Sequence, residues 1–264
     1  MLSLMIHGVR GSMPTAGESF SKYGGNTTCF EIETADSQIF IDAGTGFSSA
    51  SINEDKKKVY LLFTHLHHDH VQGLLFNPRL FTRNREIIVS SALMGGGILK
   101  QHLSEYFSPP FFPPSVFSYV KCLNFVDFDQ FILQKSSDLI IECISLNHPG
   151  GAFGYSFKSG SKKVVIALDN EFDTDEGENL LGFCENADIL FWDGMYTDEE
   201  IINKKGWGHS TIEQAIYFTQ KSSVKKTVIC HHSPTRSDAE IDTIRAKLLG
   251  KNVEFGVEGT KFSL

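Results

Sequence analysis

Apolar and polar residues alternate or cluster in short runs, separated by Gly, Asn and Asp turns, with helical periodicity entering later in the chain. The first block predicts strands at Leu4–His7, Thr28–Glu33, Gln38–Asp42, Val59–Thr64 and Ile87–Ser90. A second block follows at Leu139–Leu146, Ala152–Lys158, Val164–Leu168, Ile189–Asp193, Thr227–Cys230 and Val253–Val257. Helices are expected over Asp69–Leu80 and Leu93–Phe107. Two more carry start signals. Ser210-Thr211-Ile212-Glu213 reads as a capping box ahead of Ile212, Ala215, Ile216 and Thr219 at helical spacing. Ser237-Asp238-Ala239-Glu240 reads as another, with Ile241, Ile244, Leu248 and Leu249 behind it and Gly250 as the stop. Two strand blocks of similar size, each with helices, imply two sheets packed face to face with helices outside, in one domain over residues 1–264.

One segment interrupts this plan. Four of the eight prolines fall in Pro109-Pro110-Phe111-Phe112-Pro113-Pro114, inside an aromatic and Pro-rich insert around residues 93–120. It reads either as a stiff connection whose aromatics fill a local core, or as an apolar lid or a contact in a homodimer.

Composition narrows the picture. The 264 residues, 41% of them hydrophobic, suffice for a sizeable core and exclude wholesale disorder. No apolar run approaches a membrane span, and Met1–Ile6 lacks the basic flank of a signal peptide. The five cysteines are scattered without a C-x-x-C, so they read as free thiols of a cytoplasmic protein, and any metal would be held by other groups. The formal charge of −8 weighs against long nucleic acid but leaves room for a small anion in a locally positive pocket.

Histidine changes the picture most. Four of the ten, His65, His67, His68 and His70, lie within six residues, where chance gives on the order of 0.01 such clusters. They follow the apolar strand Val59–Phe63, and His65 and His67, two apart, can point to one side at its end. A turn then aims Asp69 and His70 at a neighbouring point. Imidazole nitrogen and carboxylate oxygen suit zinc and related metals, and this many ligands in one loop suggests two adjacent ions.

The run His65-Leu66-His67-His68-Asp69-His70 resembles the H-x-H-x-D-H signature of the metallo-β-lactamase superfamily. The resemblance extends through Gly8–Pro14, Tyr23–Thr27, Asp42-Ala43-Gly44-Thr45-Gly46, His148-Pro149-Gly150-Gly151, Asp169, Gly206–Thr211 and His231-His232-Ser233-Pro234. Together these resemble the phosphodiesterase side of the superfamily, that is, ribonuclease Z and its shorter relatives acting on cyclic nucleotides. The resemblance implies an α/β fold of the four-layer αββα type and a site for two divalent metal ions, zinc by default, with manganese or iron as alternatives. His65, His67 and His148 would hold the first, Asp69, His70 and His231 the second, and Asp169 would bridge them. His232 sits where the ribonuclease pattern has an aromatic, so the last ligand is His231 or His232. His68 falls on the variable position of the motif, and Asp42 is expected to support the loop.

His209 stands just ahead of the Ser210 cap, near a helix N-terminus that attracts phosphate oxygens. In the resembling family this histidine faces the scissile phosphate, and Asp193 at the end of Ile189–Trp192 is placed to orient it. Asp69, His209 and Asp193 are therefore the expected catalytic residues. Residues 93–130 carry a net charge of −1 and show no basic, glycine-rich arm, which favours a small phosphodiester such as a 3′,5′-cyclic nucleotide over structured RNA. Thioester or lactone hydrolysis of the glyoxalase II kind shares H-x-H-x-D-H and is the competing class. It does not normally carry Gly-His-Ser-Thr.

Overall fold

The computed structural model describes residues 2–56, 58–113, 116–134, 138–172, 177–248 and 252–264. Its strands are β1 (Ser3–Gly8), β2 (Cys29–Glu33), β3 (Ser37–Ile41), β4 (Lys58–Phe63), β5 (Ile87–Ser91) and β6 (Leu123–Phe125), then β7 (Ile140–Leu146), β8 (Ala152–Ser159), β9 (Lys162–Ala167), β10 (Ile189–Asp193), β11 (Thr227–Cys230), β12 (Val253–Phe255) and β13 (Lys261–Ser263). Helices are α1 (His68–Val71), α2 (Arg79–Thr82), α3 (Gly96–Tyr106), α4 (Val116–Tyr119), α5 (Phe128–Gln134), α6 (Gly177–Cys184), α7 (Ile212–Lys221) and α8 (Asp238–Lys247). The strands form a seven-stranded sheet, β13-β1-β2-β3-β4-β5-β6, and a six-stranded one, β12-β11-β10-β9-β8-β7.

Residue alternation explains how the layers stack. In β4, Tyr60 and Leu62 face the second sheet and pack with Ile166, Phe191 and Val228. Val59, Leu61 and Phe63 face the other way, onto Leu99 and Leu103 of α3. In β10, Phe191 joins the inter-sheet core while Leu190 and Trp192 pack on Ile212, Ala215 and Phe218 of α7. Strands buried on both faces read as continuous apolar runs, as these do. Three apolar clusters between four layers give the αββα sandwich.

Strand direction positions the chemistry. β3 through β6 run parallel, as do β9 through β12, and their carboxyl ends are where ligands bind in such sheets. Asp42 follows β3, His65 follows β4, Asp169 follows β9 and His231 follows β11. Asp42, Asp169 and His231 all turn with positive φ, at 62°, 56° and 58°.

Several expectations need correction. The helix over Asp69–Leu80 is broken into α1, a 3₁₀ turn Leu74–Phe76, and α2. Gly73 lies so close to the Gly44 carbonyl that a Cβ there would sit 1.9 Å from it, which ends α1 against the loop after β3. The α7 capping box is one residue further on, Thr211 with Gln214. The α8 box is the expected Ser237 with Glu240. Leu249, Gly250 and Pro114 lie outside the described residues. Among the described residues no helix is long and apolar enough to cross a membrane.

Candidate metal centre

The loop after β4 and the exits of β7, β9 and β11 bring seven expected residues together. Ligand atoms of His65, His67 and His148 lie within 4.8 Å of one another, as do those of His65, His70 and Asp169 and those of Asp69, His70 and His231. Asp169 sits between the groups. Its Oδ1 is 3.9 Å from His65 Nε2, 3.9 Å from His148 Nε2 and 3.3 Å from His231 Nε2, and its Oδ2 is 3.3 Å from His70 Nε2. Asp69 Oδ2 is 3.4 Å from His70 Nε2 and 3.7 Å from His231 Nε2.

Each buried ring is held from behind. His70 Nδ1 donates to Asp42 Oδ2 at 2.8 Å, and Asp42 also accepts from Thr64 N and Thr64 Oγ1, both at 2.8 Å. His148 Nδ1 donates to the Gly208 carbonyl at 2.8 Å. His65 Nδ1 lies 3.0 Å from Thr64 Oγ1, and His231 Nδ1 lies 3.3 Å from Thr28 Oγ1. The Ser12 N–H donates to Asp69 Oδ2 at 2.7 Å. Gly208 is required here, with φ +83°, because a Cβ would meet His148 Nδ1 at 2.2 Å.

The inward atoms are the ones left over. Among the described residues, His65 Nε2, His70 Nε2, His231 Nε2 and Asp169 Oδ2 are buried without a hydrogen-bond partner. Buried polar atoms are rarely orphaned, and four converging imidazole and carboxylate atoms are a donor set for divalent cations. Electrostatics agree. Burial holds His65 well below its ordinary pKa, with His70 adding to the effect, so its neutral, ligating form is favoured. Burial also lowers His67 and His148. At His70 burial opposes the charge, but Asp169, Asp69 and Asp42 overcome it and raise the pKa well above the usual range. Three carboxylates around one imidazole call for positive charge, which the His70 proton supplies when no cation is bound.

His209 lies on the rim. Its Nδ1 is 2.8 Å from Asp193 Oδ2, and a ring nitrogen lies within 4.8 Å of ligand atoms of His148 and Asp169. Burial lowers its pKa, but the Asp193 charge and hydrogen bond outweigh that and raise it to about 9. Donors at the helix terminus are partly engaged. Thr211 N donates to Gln214 Oε1, Ile212 N to Tyr196 O and Gln214 N to Thr211 Oγ1, so those donors are taken.

The two candidates for the last ligand part in space. His231 reaches the cluster, whereas His232 is buried elsewhere, with Nε2 donating to the Gly256 carbonyl at 3.0 Å and its ring against Tyr23 and Phe255. His68 is exposed and hydrogen-bonds the Tyr106 hydroxyl. Arg10 is a buried structural cation, bonded to Asp238 and to the carbonyls of Gly24 and Arg236. Sequence reasoning missed Thr28, Ser12 and the Gly208 carbonyl as braces. Glycine before His209 was the one available signal for the last.

Fold and site together define an αββα protein with a histidine–aspartate cluster at the carboxyl ends of its facing sheets. The chain belongs to the family described as the beta-lactamase superfamily domain, which it matches over residues 37–232. It is 21% identical over 322 residues to the ribonuclease Z of Clostridium perfringens (strain ATCC 13124), covering 98% of this chain and 97% of that protein. Zn²⁺-bound PqqB from Methylobacterium extorquens superposes with a TM-score of 0.73 at 15% identity, covering 99% of this chain and all of that one. Unliganded yeast PDE1 superposes with a TM-score of 0.63 at 14% identity, covering 100% and 99%. These structural likenesses concern the fold.

Proposed function

We propose that the protein is a phosphodiesterase that hydrolyses a small phosphodiester, a 3′,5′-cyclic nucleotide being the leading candidate, with two divalent cations. His65, His67 and His148 would hold one cation, Asp69, His70 and His231 the other, with Asp169 shared. Zinc suits this donor set best, and manganese or iron are alternatives. Bound cations supply Lewis acidity and a hydroxide nucleophile at neutral pH. The observation that carries the reading is the His209–Asp193 pair, at 2.8 Å, on the rim of the cluster.

The protein's own groups divide the remaining work. Asp193 fixes the His209 ring so that its other nitrogen faces the cluster, and His209 donates a proton to the leaving oxygen or stabilises charge on it. Asp69 is fixed by the Ser12 N–H and, held far below the ordinary carboxylate range despite its burial by His70 and His231, stays ionised to steer the attacking water. The carbonyl of Gly208 keeps the His148 proton on Nδ1 and leaves Nε2 unprotonated, facing His67 Nδ1 at 2.9 Å. Five free cysteines, four of them buried, support a reducing, cytoplasmic setting.

Protein of known cation content, assayed against bis(p-nitrophenyl) phosphate, cyclic mononucleotides, cyclic dinucleotides, pre-tRNA and a lactone, tests the proposal. Turnover of a small diester is expected, with kcat reduced about 10²- to 10⁴-fold in His209→Ala at unchanged cation content. Cation-loaded protein that cleaves no diester would sink it. Cleavage of pre-tRNA alone would select the second reading, a ribonuclease Z-type endonuclease, which the full-length similarity to the Clostridium protein favours. Turnover of the lactone alone would select the thioester or lactone class.

A further inference from the structure

Beside the His65–His67 loop opens a cavity of about 310 Å³. His65 and His67 form one wall, and Leu93, Met94, Leu103 and Tyr106 form much of the rest. Tyr106 also lines a second cavity of about 380 Å³, whose walls include Phe76, Phe111 and Phe112. Phe111 is 83% exposed and Phe76 61% exposed, an unusual outlay of aromatic surface next to a polar site. The Tyr106 hydroxyl is tied to His68, between the candidate ligands His67 and Asp69, so the aromatic insert is anchored to the metal loop.

The linings of both cavities share a second property. No lysine, arginine, aspartate or glutamate lines either one among the described residues. A nucleic-acid strand leaving the site along this path would bring a phosphate at every nucleotide and needs cations to meet it. A single uncharged ring needs only apolar walls and an aromatic face.

Resting on the phosphodiesterase reading above, we infer that this groove is the subsite for one substituent of the diester. The geometry points to a flat, uncharged ring, a nucleobase or an aryl group with no further phosphate, with Tyr106 and Met94 as specificity-determining residues. The ring enters beside His67, packs against Met94 and reaches Tyr106, beyond which Phe111 and Phe112 extend the apolar path.

The test compares bis(p-nitrophenyl) phosphate with methyl p-nitrophenyl phosphate, which share a leaving group and differ in the substituent left behind. The cation-loaded wild-type protein is expected to show a KM about tenfold lower for the bis-aryl diester. Met94→Trp, which fills the cavity, and Tyr106→Ala, which removes its aromatic wall, are each expected to raise the KM for the bis-aryl diester far more than that for the methyl diester, abolishing the ratio. Unfolding midpoints of both variants are compared with wild type, and Phe111→Ala, at an exposed position, serves if either misfolds. It is expected to weaken the preference by about threefold. A ratio near one in the wild type, or equal KM changes for both diesters in the variants, overturns the subsite.

A calorimetric arm separates this failure from failure of the reading beneath it. Phenylphosphonate is expected to bind the cation-loaded protein about tenfold more tightly than methylphosphonate, a margin lost in Met94→Trp. Absence of turnover with that margin intact sinks the phosphodiesterase reading and keeps the groove. Turnover with no margin sinks the groove alone.

Discussion

The two halves of the candidate metal centre are built differently. Asp69, His70 and His231 are all buried, and each is braced by the surrounding fold: His70 by Asp42, His231 by Thr28 and Asp69 by the Ser12 N–H. In the other half His65 and His148 are buried but His67 is exposed, with its Nδ1 2.9 Å from His148 Nε2. Carboxylates concentrate in the closed half, and the open half borders the apolar groove. The closed half is thus continuous with the protein core, and its charges must balance for the chain to fold well. The open half can exchange contacts with a ligand without disturbing that core.

The largest expected effect separates the halves directly. His70→Ala leaves Asp42, Asp69 and Asp169, each at most 5% exposed, without the positive charge between them. Unpairing a buried charge typically costs about 3–5 kcal/mol, and that loss is expected in urea unfolding of the cation-free protein. His67→Ala, at an exposed position, is expected to change that stability by no more than about 0.5 kcal/mol. Both should lower diesterase activity at least 10³-fold, because each removes one proposed ligand. Equal stability losses in the two variants would erase the distinction between closed and open halves.

A different division marks what was legible in the sequence. The ligand loop, which serves both halves, announces itself as His65, His67, Asp69 and His70 after an apolar strand, a local pattern. The braces do not, because Thr28 and Gly208 meet their histidines only after strands distant in sequence come together. β13 was not expected for a related reason: three residues, Lys261–Ser263, become a strand only by pairing with Ser3–Met5. β6 and helices α4 to α6 lacked strong local signals. The α7 cap shows the limit most clearly. Ser210 and Thr211 both qualify by residue type, with Glu213 and Gln214 each three residues on. Ser210 is instead used by the tertiary structure, its hydroxyl donating to the Asn170 carbonyl, and Glu213 accepts from Asp198 N at 3.1 Å. That leaves Thr211 to cap.

A smaller effect tests the rim between the halves. Asp193 foremost, with Asp169 and Asp69, raises His209 to about 9 against the pull of burial. Bound cations would offset the fields of Asp69 and Asp169, so the part of the shift that survives loading belongs to Asp193. As the proposed proton donor, His209 is active below its pKa and lost above it. Activity is therefore expected to fall as pH rises through the His209 pKa. Asp193→Asn should move that alkaline limb to lower pH and cut kcat about tenfold at pH 8.5, with cation content unchanged. An alkaline limb that stays in place would show that His209 is not the proton donor.

The smallest effect probes how tightly the closed half is braced. Thr28 is 1% exposed, and its Oγ1 is 3.3 Å from His231 Nδ1, a long contact compared with the 2.8 Å from Asp42 to His70. Thr28→Val keeps the β-branched shape that suits the entry to β2 but leaves the Nδ1 proton without its acceptor. Losing such an outer partner typically weakens cation affinity about 10- to 100-fold, and a contact this long should fall near the lower bound. The expected result is about tenfold weaker binding of one cation and unchanged binding of the other, with kcat restored at saturating cation. His231 is also confined by Gly11, where a Cβ would lie 2.4 Å from its Cδ2. Unchanged affinity for both cations in Thr28→Val would mean that this packing alone sets the ring, and that the closed half owes its rigidity to shape at His231 and to hydrogen bonding only at His70.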